Sequence, residues 1–557
     1  MAGTWQSLVH QPTFNVSTMI LLSDGRVMVQ EEATAHWHAL SPDATGSYLN
    51  GTWSPLADMS TWRRYYASGL LNDGRVVVIG GEQSGAGGDT NRGEIYDPVA
   101  DTWTPIPSPP GWPIVGDASC CILPDGRLMI GALLTPACII FDPVTNSWSP
   151  AASKAVRSNE ETWVLLGDDT ILTVQCFPPY RSERYSISSN AWKDEGAIPV
   201  DLVDHGMAEI GPAMLMYNGK VIYFGAADVK GHGKTAIYTP PAIYTGTGSW
   251  VAGPDIPQIG GRPIVCNDCP ASLLPNGKVL VACAPFVNGN WGAPIYFFEY
   301  DPFANTLVQV PTPPNDAAQL YWSRQMLLPT GQVLFSPSSH NVQCYTPDGE
   351  PQDVWRPVIS AIDRRSTTEY ALTGRQLNGF SQANMYGDDC SPATNYPLVR
   401  LRKVDTGAVS FARTYDFSTR AVATGALTQT MRFSTVDVPF GRYQLCVITN
   451  GISSLCIDFD HHSCRTGADR CCVGPSPCAC HEKDGKASCC AEETTMPDPS
   501  IVSLQKEISR LGRSVQRLAP LQPISEPHRD PKEAKDEQHS AGEAQSSVGA
   551  KRKPRRK

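Results

Sequence analysis

No stretch of this sequence holds the roughly 18 consecutive apolar residues that a membrane-crossing helix needs, so no spanning segment is predicted. Charge is sparse: 18% of residues are charged, with a net charge of −10. That balance argues against a nucleic-acid-binding body. The start, MAGTWQSLVHQPTF, lacks a basic-then-apolar secretion signal. The expectation is a cytoplasmic protein, export by another route apart. Cysteine is absent before Cys120, and 11 of the 18 cysteines lie in the first 460 residues. An odd number cannot all pair with one another, which favours mostly reduced core thiols. What the chain does have is glycine and proline, 47 of each in 557 residues. That predicts many short strands and turns, in two or more domains.

The stretch TWRRYYASGLLNDGRVVVIGGEQ, Thr61 to Gln83, shows the building unit. It predicts two antiparallel strands joined at Asn72-Asp73-Gly74, with a β-branched second strand from Arg75 to Ile79. Gly80-Gly81 ends that strand where a side chain would not fit.

The same turn signal recurs at Asp24-Gly25, Asp73-Gly74, Asp125-Gly126, Asp168-Asp169, Asn218-Gly219, Asn276-Gly277 and Thr330-Gly331. A spacing of roughly fifty residues is that of kelch-type propeller blades. Each blade tends to end in a tryptophan pair such as Thr52-Trp53, Thr102-Trp103, Ser147-Trp148, Ala191-Trp192 or Ser249-Trp250. Gly3-Thr4-Trp5 looks like a last strand placed before the first blade, and the seventh blade lacks one. The N-terminal strand is therefore expected to complete the seventh blade and close the ring. This gives an all-β fold with a seven-bladed propeller over residues 1–354.

From Val354 the period is lost, and short alternating strands over 355–460 suit an immunoglobulin-like sandwich. Residues 461–497 are cysteine-rich. Cys464, Cys471, Cys472, Cys478, Cys480, His481, Cys489 and Cys490 could hold Zn²⁺, or the cysteines could pair as disulfides. Over 498–519, Ile501, Leu504, Ile508, Leu511, Val515 and Leu518 mark a heptad seam on a short helix, a route to a homo-oligomer. Residues 520–557 read as a disordered tail with a basic end.

A kelch propeller followed by a sandwich resembles the galactose oxidase and glyoxal oxidase family. The likeness is carried by Arg64-Tyr65 ahead of Asp73-Gly74-Arg75, by Tyr321 ahead of Leu327-Leu328-Pro329, and by Gly441-Arg442-Tyr443 leading to Asn450-Gly451. It implies a copper ion held by two tyrosines and two histidines, one tyrosine being cross-linked to cysteine. Tyr65 and Tyr321 match the tyrosines. The histidine after the axial tyrosine is Trp322 here, and the sandwich histidine falls at Arg420 in Phe417-Ser418-Thr419-Arg420. No histidine occurs between His340 and His461, no cysteine lies near Val16-Ser17, and the stacking tryptophan is replaced by Gln83. Tryptophan offers copper no donor and arginine brings fixed positive charge, so copper-radical oxidase chemistry is not expected.

Tyr65 stands nine residues before its turn glycine, at the mouth of an inner strand. Similar offsets in other blades give Asp117, Glu160, Glu209 and Asp268, with Tyr321 or Trp322 on the seventh. Arg63 or Arg64 is expected beside them, and Asp204-His205 near them. Clustered carboxylates repel, so some hold protons or share a cation such as Ca²⁺. Glu161 should face away from its neighbour Glu160. Three readings stay open. The mouth binds a small polar molecule or carbohydrate; or it is a non-copper lyase or isomerase using Tyr65, Glu160, Asp268 and Tyr321; or the chain is an oligomeric scaffold. A plain structural role for these polar groups, joining blades or binding water, stands beside all three.

Overall fold

The computed structural model describes residues 3–85, 87–226, 233–243, 245–286, 292–313, 318–382 and 392–462. The cysteine-rich segment beyond residue 462, the heptad stretch and the basic tail lie outside the described residues, as do the expectations placed on them. Among the described residues the regular structure is strand apart from two short 3₁₀ turns, Leu320–Trp322 and Asp353–Trp355. No helix there is long and apolar enough to cross a membrane.

Seven antiparallel sheets form the propeller, six of them four-stranded and the sixth blade's five-stranded. The second is built from Ala67–Leu70, Val76–Ile79, Gly93–Asp97 and Thr102–Ile106. Its first two strands are the hairpin read from the sequence, in register from Ala67↔Ile79 to Leu70↔Val76. A Cβ on Gly80, which sits at φ 87°, would lie 2.3 Å from the carbonyl oxygen of Gly116 in the next blade. The backbone there must stay bare for the blades to close up.

The tryptophan that six of the seven outer strands carry explains the second repeat signature. Trp103 stacks against Tyr96 at 5.2 Å and donates Nε1–H to the Ala57 carbonyl at 2.9 Å, tying its blade to the preceding segment. Trp148 does the same with Phe141 and Pro107, and Trp192 with Tyr185 and Ala152. Trp5 repeats the pattern with Tyr345 and Pro311. Thr4–Ser7 pairs with Gln343–Thr346, Thr4 opposite Thr346, so the first strand does complete the seventh blade.

The eight remaining strands, from Val358–Arg364 to Ile457–His461, form the sandwich. Strand Val409–Tyr415 pairs with Leu398–Lys403 at one end and with Thr428–Ser434 at the other, so it passes from one sheet into the second. The sandwich packs on the face where the inner hairpins turn. Thr414 N donates to Ser23 O, Phe417 N to Asn72 O and Arg420 N to Pro124 O. It also reaches into the ring: Gln382 Nε2 donates to Ile122 O at 2.8 Å, and Cys121 Sγ lies 3.1 Å from Gln382 Oε1.

The expected reduced thiols hold for eight buried cysteines but not for Cys446, which is bonded to Cys456. The reason is register. Leu445 pairs with Ile457 across the hairpin that turns at Asn450-Gly451, which sets Cys446 opposite Cys456.

Candidate functional site

The segments entering the innermost strands emerge at the face opposite the sandwich, and several do so through left-handed backbone. Tyr65 has φ 56°, Asn159 65°, Ala208 64° and Asp268 50°. A non-glycine residue in this region costs on the order of 1–3 kcal/mol. Four of them recur at the same point of different blades, and they aim side chains that a regular strand would place elsewhere.

Tyr65, 3% exposed, lies between two arginines. The guanidinium carbons of Arg64 and Arg324 are each 5.4 Å from its ring centre, within cation–π range. Arg64 is held by Gln83 Oε1, at 2.9 Å from Nε, and by an ion pair with Glu32. Arg324 Nη1 donates to the carbonyls of Tyr321 and Ser323 at 2.8 Å. The Tyr321 ring is 6.1 Å from that of Tyr65, and Trp322, which is 39% exposed, is 5.6 Å from Tyr321. Arg63 turns the other way, as a strand neighbour must. It is buried on Glu94 at 2.8 Å and on Arg92 O at 2.6 Å.

The four carboxyl groups form a second cluster. Glu160, Glu209 and Asp268 place oxygen atoms within 4.8 Å of one another, and Asp117 hydrogen-bonds Glu160. Burial pushes the Asp117 carboxyl up to about 7, with the charges of Glu82 and Asp268 adding and the bond to Glu160 opposing. Burial pushes Glu209 further, to about 10, with Asp268 adding. Asn267 offers Glu209 only a long contact, 3.5 Å from Nδ2 to Oε2. Glu209 therefore holds its proton at neutral pH, and Asp117 shares one with Glu160. Mutual repulsion is relieved by protonation. The two clusters adjoin: burial raises the Tyr321 phenol, and the charges of Arg64, Glu82 and Asp268 all act on it.

The structure thus gathers Asp117, Glu160, Glu209 and Asp268 in one group and Arg64, Tyr65, Tyr321 and Trp322 in another. His205 stands apart from the carboxyls, stacked on Tyr180 at 4.2 Å with Nε2 3.0 Å from Asp201 Oδ1. Glu161 does face away, into a fully buried ion pair with Lys154. Arg420 is at the far end of the inner strand from Tyr65, donating from Nη1 to Leu70 O and from Nη2 to Asn395 Oδ1 at 3.3 Å. It joins sandwich to propeller and does not reach the tyrosines. The sequence reading missed Arg324, Asn267 and Glu82. Arg324 sits three residues after Tyr321, and Asn267 directly precedes Asp268, so proximity along the chain was the signal available.

A kelch motif model matches residues 63–110. Galactose oxidase from Gibberella zeae is 44% identical over 57 residues, which is 10% of this chain and 8% of that protein. An F-box/kelch-repeat protein of Arabidopsis thaliana is 28% identical over 131 residues, 20% of this chain and 27% of the relative. The chain thus covers well under two thirds of the curated relatives it matches. Among solved structures, a fungal alcohol oxidase of the AA5 family, in complex with copper, aligns with 83% of this chain and 99% of its own, at 15% identity and a TM-score of 0.49. YjhT aligns with 55% of this chain and 100% of its own, at 12% identity and a TM-score of 0.38. The kelch match falls in the second of the seven blades, so the fold is that of a kelch-type propeller, and the galactose oxidase match is a likeness over 57 residues.

Proposed function

We propose that the propeller mouth binds a neutral, hydroxyl-bearing ligand of carbohydrate type and that the chain carries no copper-radical chemistry. The observation behind this reading is exposed Trp322 against half-buried Tyr321, beside carboxyl groups that burial pushes up, Asp117 to about 7 and Glu209 to about 10. A protonated carboxyl both donates and accepts, as a sugar hydroxyl does, and an aromatic face suits the apolar side of a sugar ring. Arg64 supplies further donors at the same mouth. The copper part rests on the donors. Two guanidinium groups flank Tyr65, and indole follows Tyr321 where copper would need a nitrogen or sulfur ligand. Among the described residues, no histidine or cysteine joins a metal-sized group with them.

The test is calorimetric titration of the full chain with a panel of neutral mono- and oligosaccharides at pH 6, repeated with Trp322→Ala. Saturable binding that weakens about fivefold in the variant is expected, one aromatic contact being worth on the order of 1 kcal/mol. Binding unchanged by Trp322→Ala, or none to any sugar, rejects the reading.

A second reading is favoured by the closeness of Asp268 to buried Glu209, whose carboxyl is pushed up to about 10 by burial and by the Asp268 charge. That arrangement suits acid–base chemistry of lyase or isomerase type. Turnover abolished in a folded Asp268→Asn or Glu160→Gln protein would select it. A Ca²⁺ ion bridging Glu160, Glu209 and Asp268 is the remaining alternative, and calcium titration followed by metal analysis distinguishes it.

A further inference from the structure

Blade six carries a group of thiols that the reading of the mouth does not use. Ile264–Val265 runs antiparallel to the upper part of Val279–Pro285, with Ile264 opposite Pro285 and Val265 opposite Ala284. The next pair in this register is Cys266 and Cys283. Their sulfurs are 3.0 Å apart, and both residues are fully buried. A disulfide needs about 2.05 Å between sulfurs, so side-chain rotation of about 1 Å closes the gap without moving the strands. Cys269, also buried, hydrogen-bonds Cys266 from the other side. Three of the five other described free thiols lie against oxygen: Cys120 against Ser68 O, Cys121 against Gln382 Oε1 and Cys176 against Glu160 O. The three sulfurs of blade six do not form a metal-sized group, so an ion bridging them is not the natural occupant.

Between Cys266 and Cys269 sit Asn267 and Asp268, the residues that reach Glu209 and hold the left-handed turn at the mouth. From this arrangement we infer that Cys266 and Cys283 are a cross-strand dithiol that a small hydroperoxide oxidises to a disulfide, pinning the loop that presents Asp268. One thiolate attacks the peroxide O–O bond, giving a sulfenic acid and releasing hydroxide, which leaves as water. The second sulfur then displaces the sulfenic oxygen as water and forms the S–S bond. Two thiols lose two electrons and two protons, and one hydrogen peroxide becomes two waters. The chain already contains one bond formed in this register-dependent way, Cys446–Cys456.

The experiment treats the folded full chain with one to two equivalents of hydrogen peroxide, removes the excess with catalase, and unfolds it in excess N-ethylmaleimide. Non-reducing peptide mapping then reads the linkages. The expected new cross-link among the propeller cysteines is Cys266–Cys283, at least tenfold above any other. Cys120, Cys121, Cys138, Cys176 and Cys344 should be recovered alkylated. In Cys283→Ser the link disappears and a sulfenate on Cys266 is captured by dimedone. Alkylation of both Cys266 and Cys283 after oxidation overturns the inference, and so does a dominant Cys266–Cys269 link. Because the wild-type map decides by itself, poor folding of the variant does not shield the idea.

Discussion

The side chain of Asp117 is hydrogen-bonded to that of Glu160, a contact between two carboxyl groups that lasts only while a proton is held between them. Asp117 is raised to about 7 and Glu209 to about 10, chiefly by burial. Groups raised in the folded state lend stability that is complete below their unfolded values, near 4, and is lost as pH climbs through the folded ones. Wild-type stability should therefore fall between about pH 4 and 7 from Asp117, and on towards pH 10 from Glu209. Glu209→Gln should be more stable than wild type at pH 8 by about 3–5 kcal/mol, with the difference vanishing near pH 4. Urea melts at the two pH values measure this.

Lys154 and Glu161 form an ion pair inside blade four, with both side chains 0% exposed and Thr173 Oγ1 donating to Glu161 at 3.1 Å. Lys154→Met leaves a buried carboxyl without its cation and should cost about 3–5 kcal/mol in denaturant unfolding. The double variant Lys154→Met/Glu161→Leu should recover much of that loss. If the single change costs nothing, the pair is not formed.

Joining Cys446 to Cys456 closes a short loop within one hairpin. Chain-entropy reasoning gives about 3 kcal/mol for a loop of roughly ten residues. The double change Cys446→Ala/Cys456→Ala should lower unfolding stability by roughly that amount, measured without reductant. Wild type in dithiothreitol should approach the variant.

Tyr65 should not behave as a metal ligand. Copper(II) added to one equivalent and followed by gel filtration should leave the same residual copper in wild type and in Tyr65→Phe. Electron paramagnetic resonance should show no site altered by the substitution. Stoichiometric copper that Tyr65→Phe releases would overturn the copper reading.

Much of the architecture was open to inspection in the bare chain because turn chemistry repeats. Seven polar turns and the outer-strand tryptophans marked the blades, and the misplaced Trp5 announced how the ring closes. Positions near the axis could be found by counting back from each turn, which located Asp117, Glu160, Glu209 and Asp268. Counting could not supply the direction of a side chain in left-handed backbone or the residues brought in from a neighbouring blade. Arg324 therefore went unnoticed beside Tyr65. His205, adjacent to Asp204 in sequence, was grouped with the mouth, while the structure stacks it on Tyr180. The resemblance aligned Arg420 with a metal ligand. A buried guanidinium with carbonyl acceptors at the sandwich boundary was beyond what a four-residue motif could convey. Both cysteine pairs follow from strand register, the Cys446–Cys456 disulfide and the Cys266/Cys283 dithiol, and register is visible only once strand ends are fixed.

The pairing of Thr4–Ser7 with Gln343–Thr346 also sets a clock for biosynthesis. Ser7 and Gln343 are 336 residues apart. At about 5–20 residues per second, the ribosome needs roughly 17–70 s to bring the partner strand into existence. Through that interval Thr4–Ser7 has no partner strand to join, and the seventh blade emerges with an open edge. On a crowded polysome a neighbouring nascent chain offers the same strand. Completion within one molecule is then a race between local recapture and exchange, decided by how long Thr4–Ser7 waits.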